Sequence, residues 1–376
     1  MGSYRLYGSW GFKGNKTFSV LRLATSREEK LEEMNEQNPR ALRKLVTPYE
    51  KSDLQKSIWQ IINTLVPFFL LWYVAYKSLS VSYFLTLAIS VVAAGFLVRT
   101  FIIFHDCCHY SFFKNRKANR ILGTITGILT LHPFDQWAHD HSVHHATSSN
   151  LDKRGTGDIW VLTVKEYEEA STKTKIMYRL YRNPFVMFII GPIYVFGIAN
   201  RFNRKGAKRK ERMNTYVTNL GIVVLAALLC WAIGWQNFLL VQVPIFMISG
   251  TLGIWLFYIQ HTFEDSYFEE DEHWEYVKAA VEGSSFYKLP KVMQWLTGNI
   301  GFHHVHHLSP RVPNYKLEEV HNNTEPLQNV PTITLATSLK SLKFRLWDEE
   351  GKKFVGFNHL KKASKSQVSA RPRADM

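Results

Sequence analysis

The chemistry in this chain is concentrated in histidines at helical spacing. HSVHH places His141, His144 and His145 at positions i, i+3 and i+4, offsets that bring side chains onto one helix face. HHVHH repeats the pattern with His303, His306 and His307, and HDCCH sets His105 and His109 at i and i+4. Neutral imidazole binds iron, copper, nickel and zinc, so three such faces in one chain point to a shared metal centre. One pair alone would read as ordinary buried or surface histidines. Eight of 15 histidines in three offset-matched clusters do not.

His261, in QHTFED at the end of an apolar run, is the ninth candidate ligand. Nine nitrogens exceed the needs of one metal, so two metals are expected. There is no HExxH of a zinc metalloprotease, and no thiolates stand at structural-zinc spacing. Imidazole-rich, carboxylate-poor ligation suits iron with positions open for oxygen; ligand type alone leaves copper and zinc open. Asp106, Asp140, Asp158 and Glu264 are placed to orient ligand rings, with helix capping or solvation an equal reading. His132 and His139 lie off the box offsets and take supporting or local roles. His304 points to another face, and His273, His321 and His359 read as surface residues.

What must position these groups is a membrane scaffold. The chain has 376 residues, 46% hydrophobic and 14% aromatic, with a mean hydropathy of -0.14, so its apolar residues are gathered in blocks. Four runs are long enough to span a bilayer: 58–76, 81–104 (with only Arg99, near its end), 216–235 and 238–259. A turn at Gln236 and Asn237 joins the last two. Residues 121–131 make half a span, an interfacial or re-entrant piece. Residues 184–199 are broken by Gly191 and Pro192 and carry basic residues on both flanks. A crossing helix has basic charge on one side, so this segment is laid in the interface. Four spans in two hairpins then leave every histidine cluster on the side of the basic loops, the cytoplasm.

The expected architecture is an all-α integral membrane protein: four transmembrane helices in two hairpins, with a cytosolic helical cap holding a histidine-rich dimetal site. Everything after His261 faces solvent in this reading. The first 53 residues form a polar segment with a short surface helix at 30–45. Residues 54–357 form the main domain, and 358–376 a disordered basic tail.

The formal charge of +15 lies beside apolar runs, as juxtamembrane charge does, and on no nucleic-acid module. Three cysteines, Cys107, Cys108 and Cys230, give no disulfide framework; the adjacent pair is assigned to packing. The first long apolar run begins near Ile58, too late for a signal peptide, and Leu6 stands where a myristoylation signal needs Ser or Thr. A metal transporter would place ligands at mid-membrane, whereas these histidines sit at or beyond the span ends.

The three boxes between paired spans resemble those of the membrane fatty acid desaturase superfamily, from about Leu54 to Phe357. FHDCCHYSFF, HHATSSNLDKRGTGDIW, QHTFEDSYF, AAVEGSSFYKLP and GFHHVHHLSPRVPNYKLE resemble its bacterial acyl-lipid Δ5 branch. The resemblance implies a diiron centre, four transmembrane helices under a cytosolic cap, and O2-dependent insertion of a double bond into membrane phospholipid acyl chains. A hydroxylase using the same boxes is the alternative. The family ligand positions fall on the eight box histidines and on His261. No haem-binding HPGG and no dinucleotide fingerprint occurs, so electrons are expected from a separate carrier, ferredoxin or flavodoxin. An apolar tunnel is expected to hold the acyl chain in register. Trp137 and Trp160, beside box two, are candidates for its wall, with an interfacial role slightly preferred.

Overall fold

The computed structural model describes residues 39–360. The expected helix at 30–45 is described only from Pro39 onward, and the basic tail lies outside the described residues beyond 360. The chain divides into a unit of residues 1–42 and one of 43–376, and the second carries the architecture below apart from residues 39–42.

Helix α1 (Pro39–Val46) leads through a 3₁₀ turn to α2 (Leu54–Ser78), then α3 (Tyr83–Cys108), α4 (Arg116–Thr130) and α5 (Phe134–Thr147). Two short helices follow, α6 (Val164–Glu169) and α7 (Thr172–Tyr181). The long helices α8 (Arg209–Ile233) and α9 (Trp235–His261) come next. Beyond them lie α10 (Tyr276–Val281), α11 (Lys291–Leu296), α12 (His303–Leu308) and α13 (Leu317–Asn323). The fold is mostly helical rather than wholly so. Phe286–Lys288 pairs in parallel with Thr332–Thr334, and Leu346–Asp348 pairs antiparallel with Lys353–Val355.

Helices α2, α3, α8 and α9 have 25 to 27 residues and are long and apolar enough to cross a membrane. At 1.5 Å per residue each exceeds the roughly 30 Å hydrocarbon core. Asp53 starts α2 by accepting the backbone N–H groups of Gln55 and Lys56. Helix α8 buries only Glu211, Asn214, Thr215 and Thr218, and turns Leu220, Val223, Leu228 and Trp231 outward. An apolar helix that keeps its polar groups inside suits a lipid surround. The break between α8 and α9 falls at Gly234, two residues before the expected turn. There φ is +85°, a left-handed backbone that glycine adopts without a Cβ penalty.

Residues 186–198 form wide π-helical turns, and α7 meets them at a 67° bend. This segment lies on α9, where Gly250 leaves room for Pro192 and Phe196. Taken with α7 it would make a fifth candidate span.

Helix α3 is the hub, packed by α2, α4 and α9. Arg99, inside its apolar run, is buried; its Nε donates to Thr64 Oγ1 at 3.0 Å and its guanidinium lies 4.0 Å over the Trp295 ring. Trp295 belongs to α11, which runs beside α3, with Leu296 against Gly95 and Gly298 against Ile102. The expectation that everything after His261 faces solvent is therefore corrected: α11 reaches along the apolar length of α3. Val292, 71% exposed, carries that apolar surface outward.

Candidate metal centre

Helix α3 ends at His109, which caps it, and so delivers His105 and His109 at the tip of an apolar rod. Helix α9 delivers His261 at its last residue. The short helices α5 and α12 lie across these tips and carry the two HxxHH boxes. All nine histidines meet. One ligand atom each from His105, His109, His141, His145 and His306 lies within 4.8 Å of the others, and His144, His261 and His307 form a second such group. His303 borders the second group, its Nε2 3.0 Å from that of His261. The groups are contiguous, since the His145 and His307 rings are 4.2 Å apart.

Each HxxHH box is thus divided. His141 and His145 serve one group and His144 the other; His306 serves the first, His307 the second. One helix turn feeds two adjacent sites, which the shared offsets do not reveal.

The donor set fits a cation. Ring nitrogens face one another at 3.2 Å (His144–His261), 3.1 Å (His141–His145) and 2.9 Å (His145–His306). His109 Nε2, His145 Nδ1, His303 Nδ1, His306 Nδ1 and His307 Nε2 are buried with no hydrogen-bond partner. At about 1–3 kcal/mol for each unsatisfied buried group, His109 Nε2 and His307 Nε2 alone would cost about 2–6 kcal/mol, which cations bound at those atoms would remove. Bound cations would occupy lone pairs that neighbouring rings now face. Burial first, and adjacent imidazoles second, push His141, His145, His303, His306 and His307 well below the usual histidine range. The rings are therefore held neutral, the ligating form.

Two of the four carboxylates touch this cluster. Asp158 meets His144 Nδ1 at 2.5 Å, and Asp106 meets His105 Nδ1 at 3.2 Å. Asp140 instead faces Arg204 at 3.6 Å, and the exposed Glu264 pairs with Lys340. His261 Nδ1 lies 3.1 Å from the Gly283 carbonyl, a backbone partner that no residue type announces. Gly157 (φ +74°) lets the Asp158 loop close on α5, since a Cβ there would come within 2.8 Å of the Asp140 carbonyl.

Trp137 packs against the histidine cluster. It stacks on His141 at 4.2 Å and packs with Phe101, Phe104 and His132 beneath the cluster. Trp160 lies elsewhere, between Tyr178 and Tyr181. His304 turns away as expected, its Nε2 3.1 Å from Nδ1 of His321. That contact corrects the surface reading of His321, which is buried, whereas His273 is exposed. Cys107 and Cys108 are free and buried in the apolar cluster around Phe104 and Phe134.

Long apolar helices ending in buried histidine groups define a membrane-embedded protein with a candidate metal centre. The chain belongs to the fatty acid desaturase family, whose model matches residues 78–333. A fatty acid desaturase of Bacillus subtilis (strain 168) is 69% identical over 320 residues, 85% of this chain and 91% of that protein. More distant relatives include the chloroplastic omega-6 fatty acid desaturase of Spinacia oleracea, 27% identical over 231 residues, 58% of this chain and 48% of that one. The sn-1 oleoyl-lipid 12-desaturase of Synechocystis sp. is 25% identical over 236 residues, 60% of this chain and 64% of that one.

Proposed function

We propose that this protein inserts a cis double bond, at Δ5, into acyl chains of membrane phospholipids, using O2 and two irons. The irons are held by His105, His109, His141, His145 and His306 on one side and by His144, His261, His303 and His307 on the other. The observation that carries the reading is the meeting of all nine histidines, eight of them buried and His109 half-buried, at the ends of α3 and α9. Bound iron would supply reductive activation of O2 and removal of hydrogen from two adjacent methylenes.

The chain's own residues do the rest. Asp158, Asp106 and the Gly283 carbonyl each hold an Nδ1, which leaves Nε2 of His144, His105 and His261 facing the cluster. Trp137, Phe101 and Phe104 give the cluster an apolar floor that excludes water and accepts a hydrocarbon chain. The Synechocystis relative's name states a lipid-linked oleoyl chain, which supports a lipid-linked substrate here.

The same reading sets the protein in a bacterial cell membrane as two helical hairpins, with the histidines under a cytoplasmic cap. Electrons come from a separate ferredoxin or flavodoxin. Lys205, Lys208, Arg209 and Arg212 have no ion-pair partner among the described residues, and their loop is tied to α5 by Gln136, which bonds the backbone of Phe202 and Arg204. A basic surface beside the helix carrying box two would steer an acidic carrier to it.

The test is expression in a host lacking polyunsaturation, with chromatography of derivatised fatty acids. A new alkene at Δ5 in phospholipid chains is expected. An alcohol in its place would identify a hydroxylase.

A further inference from the structure

We propose that Asn314 is a positioning residue for the five-histidine group, fixing His105 through the carboxylate of Asp106. The proposal rests on the metal reading above. Asn314 follows the third histidine box in sequence, yet it is 1% exposed and lies against the first. Pro313 holds an extended backbone (φ -67°, ψ 148°) and starts the 3₁₀ turn Asn314–Lys316. The turn presents both the backbone N–H and the side-chain amide of Asn314 to Asp106 Oδ2, at 2.6 and 2.8 Å. Asp106 Oδ1 faces His105 Nδ1 at 3.2 Å.

Hydrogen-bond accounting fixes the roles. An ionised carboxylate only accepts, so the Asn314 amide must aim its NH2 at Asp106. Its Oδ1 then accepts from Gln60 Nε2 on α2 at 2.9 Å. Asp106 is 1% exposed, and among the described residues its only ion-pair partner is His105. The two Asn314 donors hold the carboxylate in its aim. Charge-assisted bonds of this kind are about twice as strong as neutral ones. The third-box loop, α2 and α3 therefore converge on one buried carboxylate. Its service to the metal group is to hold Nδ1–H and leave the Nε2 lone pair outward. Without it, the His105 ring would be held in orientation by packing against Phe101, Trp137 and its histidine neighbours.

The test uses full-length protein in detergent with its iron, challenged with a graded ferrous chelator. Asn314→Ala is expected to weaken retention of one of the two irons about 10- to 100-fold and leave the other unchanged. Asp106→Asn should do the same, and the double variant should be no worse than the single one, because Asn314 acts through Asp106. If the alanine variant does not fold, Asn314→Ser decides. Like alanine it keeps the backbone bond and loses the amide bond, and it should show the loss at the same iron. The proposal is overturned if these variants lose thermal stability yet hold both irons as tightly as wild type, which is what a mere staple between helices would do. It is overturned equally if the losses of Asn314→Ala and Asp106→Asn add. A wild-type protein that takes up no metal defeats the metal reading itself and is read before any variant is made.

Discussion

Gly157 offers a test of how closely the loop must approach the centre. Its Cβ, if added, would sit 2.8 Å from the Asp140 carbonyl and 3.1 Å from the His144 Cβ, at a φ of +74°. A left-handed backbone costs an alanine about 1–2 kcal/mol. Reduced unfolded-state entropy returns about 0.4–1 kcal/mol. The contact is with backbone, so the loop must lift by several tenths of an ångström, and Asp158 lifts with it. A hydrogen bond to a charged group is worth about 1.5–3 kcal/mol, and losing half of that lowers affinity about 3- to 12-fold. Gly157→Ala should therefore cost about 1–3 kcal/mol of stability and weaken iron retention in the His144 group about 3- to 12-fold. Gly155 is the control: its φ is +118°, but open space surrounds the added Cβ. Gly155→Ala should lose stability and keep its metal. Chelator competition and thermal unfolding on both variants read the two effects apart. Equal retention in both variants, or equal loss, would refute the reasoning.

Cysteines introduced as Lys175→Cys and Lys208→Cys, in a chain free of Cys107, Cys108 and Cys230, should both resist impermeant thiol reagents in intact cells. Ready labelling of either from outside would make residues 184–199 a fifth crossing. Reversing the charges of Lys205, Lys208, Arg209 and Arg212 should raise the apparent KM for the electron carrier and flatten its salt dependence, with maximal rate little changed. Unchanged carrier dependence would leave this run as a topology and headgroup device.

Spacing and hydropathy made the outline of the site legible. The i, i+3, i+4 histidines and the end of a long apolar run are local features, and they named all nine members of the cluster. Assigning His144 and His145 to different groups required the angle at which α5 crosses α3 and α12, which no local pattern carries. The choice among carboxylates was equally hidden: Asp158 reaches His144 because Gly157 lets its loop close on α5, whereas Asp140 turns to Arg204. Asn314 has no signal beyond a polar residue after a proline. The four long helices followed from hydropathy, but α11 did not, since six residues packed along α3 are too short to register as a membrane element. His321 failed for a related reason: its partner, His304, is 17 residues away and comes into reach only when α13 packs on α12.

Metal content of purified protein, before and after His144→Ala, tests the central claim most directly. The account predicts close to two irons per chain in the wild type. It predicts about one in the variant, because the five-histidine group does not include His144. A single tightly bound zinc, indifferent to the loss of His144, would contradict it.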